Sequence, residues 1–165
     1  MISVVIATLN AAETLPATLS ALVPAAVTNL VREVVVADGG STDETLEIVD
    51  DAGAKLIEGD LAAGLAVAKG PWLLILNADV RLSSEWEAAA RDHIEHHAKS
   101  AGYFRLALDD HRATARIAEA WSSLKGASAA NGLLVSKRSY DEAGGDLDKL
   151  RNRMRPLAAR AFRAG

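Results

Sequence analysis

Glu33-Val-Val-Val-Ala-Asp38-Gly-Gly-Ser-Thr-Asp43-Glu44 is the stretch that decides the fold. A short β-branched run ends in an acid, two glycines follow, and a Ser-Thr-Asp signal opens the next element. Continuous apolar character from Val34 to Ala37, bounded by turn residues, predicts a strand covered on both faces. Gly39 and Gly40 allow a sharp turn. Ser41, Thr42 or Asp43 can cap the following helix, whose first turn holds Glu44 and Glu47, acids that suit the positive end of a helix dipole. Asp38 then stands at the carboxyl end of a parallel strand, the edge where open α/β sheets bind ligands. On this pattern alone a plain strand-turn-helix junction with a solvated acid fits equally well.

The same alternation extends in both directions. Ile2–Ala7 reads as strand one, Thr8-Leu9-Asn10 as a loop, and Ala11–Leu22 as a helix that tolerates Pro16 only near its start or as a kink. Asp43–Ala52 is a helix closed by Gly53. Lys55–Glu58 is a brief strand, Leu61–Lys69 an Ala-rich helix, and Trp72–Leu76 a buried strand. After Asn77-Ala78-Asp79, Ser83-Ser84-Glu85 starts a helix running to about Lys99. Tyr103–Ala107 is read as a strand, His111–Lys125 as a helix, Gly132–Ser136 as a strand and Arg138–Ala143 as a short helix. From Leu147 onward a terminal helix is expected, interrupted near Pro156. Strands that alternate with helices predict βαβ units and a mostly parallel sheet. In such a sheet the loops after strands one, two and four converge, bringing Thr8 and Asn10, Asp38, and Asn77 with Asp79 to one edge.

Composition narrows the chemistry. The 165 residues fit one domain, half apolar and about a quarter charged, as in ordinary globular chains. Aromatic residues make up 4%, which leaves few stacking platforms for nucleic-acid bases, and no nucleic-acid partner is expected. The absence of cysteine excludes disulfides, thiol nucleophiles and zinc-thiolate sites. His93, His96 and His97 share one predicted helix with acids around them. A solvated face is the preferred reading of that cluster over a metal centre, and His111 stands apart. Trp72, Trp86 and Trp121 are read as core or groove-lining residues. No signal-peptide pattern opens the sequence and no apolar run approaches the ~20 residues that span a bilayer, so a cytoplasmic protein is expected. The net charge of −4 hides an asymmetry: residues 1–60 carry −8 and residues 61–165 carry +4. Arg151, Arg153, Arg155, Arg160 and Arg163 follow Asp148 with no further acid. This tail is read as a solvated, frayed helix end, with peripheral contact to anionic lipid, another phosphate-bearing partner or a subunit as the other option.

Asp79 with an amide two positions earlier presents oxygens suited to a hard cation, Mg2+ or Mn2+, which commonly shares its ligands with substrate phosphates. Asp38 on a neighbouring loop could accept hydrogen bonds from a base or ribose. Together these suit a nucleotide diphosphate. A G-x-G-x-x-G turn after strand one, a P-loop and a G-x-S-x-G elbow are all missing, which argues against a dinucleotide Rossmann site, a P-loop nucleotidase and an α/β-hydrolase. Each polar residue also has a plainer reading, Asn10 as a helix cap and Asp79 as a turn acid.

Three segments, Ser3-Val-Val-Ile-Ala-Thr8-Leu-Asn10, Val34-Val-Val-Ala-Asp38-Gly-Gly-Ser-Thr-Asp43 and Leu74-Ile-Leu-Asn77-Ala-Asp79, resemble motifs of the family 2 glycosyltransferases. Ala130-Asn-Gly-Leu-Leu-Val-Ser-Lys-Arg-Ser-Tyr-Asp-Glu-Ala-Gly-Gly145 is similar to the segment leading to the acceptor side in a bacterial subgroup with a His-Ala-Asp motif where this chain has Asn77-Ala78-Asp79. The resemblance covers Ile2 to about Gly145. It implies a single-domain α/β protein of the GT-A fold, a mostly parallel sheet flanked by helices. The donor half would span about 1–99, the acceptor half about 100–150, and the Arg-rich tail 151–165. It implies Thr8 and Asp38 at the nucleotide, Asn10 supporting the same loop, and Asp79, with Asn77 beside it, at a divalent Mg2+ or Mn2+ ion and the diphosphate. The implied reaction moves a sugar from a nucleotide-diphosphate donor to an acceptor hydroxyl with inversion.

The departures from the family pattern fall in three places. Asn77 replaces the first acid of a full DxD motif. Glu58-Gly-Asp-Leu-Ala-Ala-Gly-Leu-Ala66 is shorter than the family's segment and lacks its Arg and Asn. The Glu-Asp pair expected after Gly144-Gly145 is missing where Leu150-Arg-Asn-Arg-Met154 stands, leaving Asp146 and Asp148 as the nearby carboxylates for a general base. These departures motivate a second reading, a non-catalytic relative that binds nucleotide or scaffolds a partner. A sugar-phosphate nucleotidyltransferase fits less well, because Thr8-Leu-Asn-Ala-Ala-Glu13 lacks a Gly-rich phosphate loop.

Overall fold

The computed structural model describes residues 1–106 and 132–163. Among these, eight strands form one sheet: β1 (Ile2–Thr8), β2 (Val31–Asp38), β3 (Lys55–Glu58), β4 (Trp72–Asn77), β5 (Val80–Leu82), β6 (Ala101–Leu106), β7 (Leu133–Ser136) and β8 (Met154–Arg163). Their order across the sheet is β3-β2-β1-β4-β7-β6-β8-β5. The first four run parallel. β7 is antiparallel to β4 and β6, β8 is parallel to β6, and β5 is antiparallel to β8. The helices are α1 (Leu15–Ser20), α2 (Val23–Val27), α3 (Thr45–Asp51), α4 (Leu61–Val67), α5 (Trp86–His96) and α6 (Lys137–Glu142), with a 3-10 segment at Leu147–Arg153.

Strands with no polar alternation bury both faces, and each face feeds its own apolar layer. Val4, Ile6, Leu74 and Leu76 pack with Leu15, Val49 and Trp86 on the side of α1, α2, α3 and α5. Val5, Val35, Leu73 and Ile75 pack with Leu65, Leu133 and Leu150 on the side of α4, α6 and the 3-10 segment. The α4 contact is close: a Cβ on Gly64 would lie 2.8 Å from Val5 Cγ1 and 3.1 Å from Ala37 Cβ. Gly64→Ala is therefore expected to destabilise the protein by about 1–3 kcal/mol through overpacking, although helix propensity alone favours alanine by about 1 kcal/mol. Denaturant unfolding checks the sign; a raised midpoint would show that the helix can lift off the sheet at no cost.

The register aligns the carboxyl ends of the parallel strands. Thr8 lies beside Asp38, Ala7 beside Asn77, and Asp38 beside Glu58. The strand-end loops named from sequence thus do share one edge of the sheet.

Several elements differ from expectation. The helix expected over Ala11–Leu22 is shorter, α1 at Leu15–Ser20, and a separate helix α2 follows at Val23–Val27, each with a proline in its first turn; Pro24 has no N–H and starts α2 rather than prolonging α1. β2 begins at Val31, three residues early. β5, Val80–Leu82, is a three-residue strand in a stretch to which the sequence reading assigns no element. The largest correction concerns the tail, which is strand β8 and not a helix. Leu157, Ala159 and Ala161 are buried while Pro156, Ala158 and Arg160 are exposed, the period-2 pattern of a half-buried strand. His93 is a second correction. It is buried rather than solvated, edge-on to Trp72 with ring centroids 6.0 Å apart, and its Nε2–H donates to Ser100 O at 3.0 Å. Burial pushes its imidazole pKa below the ordinary range, which keeps it neutral. The expected helix His111–Lys125, with His111 and Trp121, lies outside the described residues.

Candidate functional site

Asp38 closes β2 and is 4% exposed. Its Oδ1 accepts from Thr8 Oγ1 at 2.9 Å and from the Ser41 hydroxyl. Its Oδ2 accepts from the backbone N–H of Gly40 at 3.0 Å and of Ser41 at 2.8 Å. A carboxylate has about four acceptor positions, and these four bonds fill them. Burial by itself would raise the Asp38 pKa, but the hydrogen bonds from Ser41, Thr8 and Gly40 outweigh it and hold the carboxyl below its ordinary value. The acid thus shapes the loop that follows it. Gly40 turns that loop at φ 102°, a conformation that favours glycine.

Asn10 joins this loop to the one after β1. It sits at φ 50°, its N–H donates to Ser41 Oγ at 2.8 Å, and its Oδ1 accepts from Thr42 N at 2.9 Å. Next to it, Ala11 N donates to Thr45 Oγ1 at 2.9 Å and Ala12 N donates to Asp43 Oδ2 at 3.1 Å. The two loops are one hydrogen-bonded unit. The expected cap is displaced by this use of Asp43: the N-cap of α3 is Glu44, which makes no side-chain cap bond, while Asp43 takes the Thr45 N–H at 3.0 Å. The Thr45 hydroxyl and backbone bonds also hold the Asp43 carboxyl below its ordinary pKa.

The loop after β3 completes this wall. Gly59 N donates to Asp38 O at 2.9 Å, and Asp60 caps α4 by accepting from Ala63 N at 3.0 Å. Between Asp38–Ser41 and Glu58–Asp60 lies a cavity of about 590 Å³ whose lining includes Leu46 and Leu56. A second cavity of similar size, lined by Leu19, Val23, Val31, Val34 and Ile48 among others, lies towards the opposite end of β2, away from these loops.

On the other side of β1, the β4 loop is fixed through Ala78. Its N–H donates to Ala7 O at 3.2 Å and its carbonyl accepts from Thr18 Oγ1 at 2.8 Å. Asp79 follows on this anchored backbone. Its Oδ1 is buried with no hydrogen-bond partner among the described residues, and its Oδ2 is 3.6 Å from Arg163 Nε. A buried acceptor left unpaired is costly, so Asp79 Oδ1 needs an explanation that the described residues do not supply. Asn77 ends β4 half-buried beside Ala7, and its side chain makes no hydrogen bond among the described residues. No group of three or more His, Cys, Asp or Glu side chains able to hold a metal is gathered among the described residues. The donor set therefore fits a hard cation that takes one carboxylate from the protein and the rest from water and phosphate, and does not fit an all-protein cage.

Of the two acids expected on the acceptor side, Asp146 precedes the 3-10 segment and Asp148 lies in its first turn. Asp146 Oδ1 accepts from Asp148 N at 3.0 Å, and its Oδ2 is 3.9 Å from Lys149 Nζ. No hydrogen bond or ion pair joins Asp146 to Asp79 or to the β1 and β2 loops among the described residues. Ser41, Asp43, Gly59 and Arg163 were not singled out as site residues in the sequence. The signal for Ser41 was available, since a hydroxyl three residues after an acid commonly closes a turn onto it.

Comparison with known proteins adds the family. Residues 3–133 match the model described as Glycosyl transferase family 2. A PGL/p-HBAD biosynthesis glycosyltransferase of Mycobacterium tuberculosis is 40% identical over 92 residues, which covers 48% of this chain and 35% of that protein. The chain thus spans about a third of the length of this curated relative. Among solved structures, S. aureus TarS (its residues 1–349) superposes with a TM-score of 0.73 at 18% identity, covering 99% of this chain and 60% of TarS. Glucosyl-3-phosphoglycerate synthase from M. tuberculosis, in complex with Mn2+, uridine diphosphate and glucosyl-3-phosphoglycerate, superposes at 0.63 with 18% identity, covering 94% and 68%. At that identity these two establish the shared fold.

Proposed function

The chain belongs to glycosyl transferase family 2 and has its GT-A fold, and from that premise we propose that it transfers a sugar, with inversion, from a nucleotide-diphosphate donor to an acceptor hydroxyl. The observation that carries this reading is the buried, unpartnered Oδ1 of Asp79 at the carboxyl end of the central strand β4. Thr8, Asn10 and Asp38 form the nucleotide-side wall, with Asp38 holding the Gly39–Ser41 backbone against which base and ribose rest. Asp79, assisted by Asn77, holds Mg2+ or Mn2+ against the donor diphosphate. When bound, the cation offsets the charge that builds on the departing diphosphate. A neighbour of the same fold has been crystallised with Mn2+ and uridine-diphosphate-glucose, which supports this choice of ligands. Asp146 and Asp148 are the carboxylates that follow Gly145 in the sequence, and one of them serves as the base that takes the acceptor proton.

The test is calorimetric titration of the chain with UDP and with GDP in the presence of Mn2+. Saturable, Mn2+-dependent binding of one of them is expected. No binding at millimolar ligand would remove the basis for the reading. The lack of a Glu-Asp pair after Gly144-Gly145, where Leu150-Arg-Asn-Arg-Met154 stands, favours a second reading, a nucleotide-binding relative without turnover. Hydrolysis of a nucleotide sugar by the wild type, lost in Asp146→Asn or Asp148→Asn by about 100-fold or more, decides for the enzyme. Binding without hydrolysis decides for the relative.

A further inference from the structure

Arg163 ends β8 and pairs with Val80, the residue after Asp79. Ala161 and Ala159 point into the core, and Arg163, two residues on, continues the same face of the strand at the sheet edge. Its Nε stands 3.6 Å from Asp79 Oδ2, with the two side chains 56% and 37% exposed. That distance is an ion pair and too long for a hydrogen bond. Pairs so exposed add little to stability, and the guanidinium has no other polar partner among the described residues. The acid it faces has a second oxygen that is buried and unsatisfied. A cation on a strand with no acid after Asp148 is thus delivered to the carboxylate best placed to hold a metal.

We propose that Arg163 is a diphosphate-binding residue of the donor site, kept on Asp79 until a donor arrives. The inference rests on the nucleotide-sugar reading above. A guanidinium presents a planar fork of N–H donors that matches phosphate oxygens. A diphosphate carries more negative charge than one carboxylate, so the fork transfers to it and Asp79 is released. Arg163 therefore opposes cation binding when no nucleotide is present and strengthens nucleotide binding when it is. These opposite signs separate the role from that of a surface ion pair.

The experiment uses the full 165-residue chain, with Mn2+ alone followed by electron paramagnetic resonance and UDP or GDP with Mn2+ followed by calorimetry. Arg163→Gln is expected to bind Mn2+ alone about threefold more tightly, because it removes a competing charge, and to bind the nucleoside diphosphate about tenfold more weakly. Arg163→Lys, which keeps the charge and loses the fork, is expected to lose about threefold in nucleotide affinity; it carries the test if Arg163→Gln does not fold. Arg160→Gln, an exposed arginine on the same strand, leaves both affinities unchanged. If both affinities of Arg163→Gln stay within about twofold of wild type, or if either moves in the opposite direction, the inference is overturned while the nucleotide-sugar reading stands. If the wild type binds no nucleoside diphosphate, both fall together.

Discussion

Asp79→Ala is expected to lose Mn2+-dependent nucleotide binding and to leave the protein at least as stable as the wild type. Outer-shell substitutions at metal sites commonly cost 10–100-fold in affinity, so removal of a direct carboxylate ligand is expected to cost on the order of 100-fold or more. Stability moves the other way because Oδ1 is a buried acceptor without a partner, an arrangement that costs about 1–3 kcal/mol. The exposed pairing of Oδ2 with Arg163 returns little of this. Calorimetric titration with UDP or GDP, with and without Mn2+, reads the first effect, and thermal unfolding reads the second. A variant that still binds Mn2+ as the wild type does, or one that melts well below it, would show that Asp79 is a structural turn acid. A group that destabilises its surroundings in the absence of ligand is the usual signature of a site built for function.

Asp38→Ala should give the opposite pattern. The Ser41 hydroxyl and the N–H groups of Gly40 and Ser41 lose their acceptor, and Thr8 Oγ1 keeps only a long contact of 3.5 Å to Ala37 O. Stranding several partly buried donors is expected to cost about 3–5 kcal/mol in total, a fall of roughly 6–20 °C in melting temperature for a chain of this size. Nucleotide binding should weaken with the loop, while Mn2+ binding at Asp79 is retained. The effect is also pH-dependent. The folded carboxyl titrates below its ordinary value of 3.8, so its stabilisation is complete above that value and fades as pH falls through the folded one. The stability gap between wild type and Asp38→Ala should therefore be constant near neutrality and narrow in acid. Parallel curves down to acid unfolding would contradict the role given to the carboxylate.

What was legible in the sequence was local. An apolar run that ends in an acid and two glycines states both a strand and its edge, and three such ends in βαβ order state a shared site. The parallel half, β3-β2-β1-β4, follows from these signals because each is complete within about ten residues. The second half was not legible for reasons of range. Strand β8 hides its alternation, because two of its buried positions are alanines, its exposed ones include a further alanine, Ala158, and Pro156 argues against an interior strand. β5 is too short to show any period. The meeting of Asp79 with Arg163 depends on the register of those two strands, which no local pattern encodes. His93 looked like part of a polar helix face because its neighbours are charged, and only packing against Trp72 and Gly102 reveals it as core. Asp38 stands at the strand end read from the sequence, and the fold fills its lone pairs with its own loop, which no local pattern states.

The sheet order has a consequence in time. Among the described strands β5 has one hydrogen-bonded neighbour, β8, the last of them to be made. At ribosomal speeds of about 5–20 residues per second, Arg163 emerges on the order of ten seconds after Asp79. During that interval the nascent chain can lay down its parallel core while the backbone just beyond Asp79 has nothing to pair with. The binding edge is therefore keyed into place by the closing strand, so that a chain interrupted in synthesis carries the scaffold without a finished site.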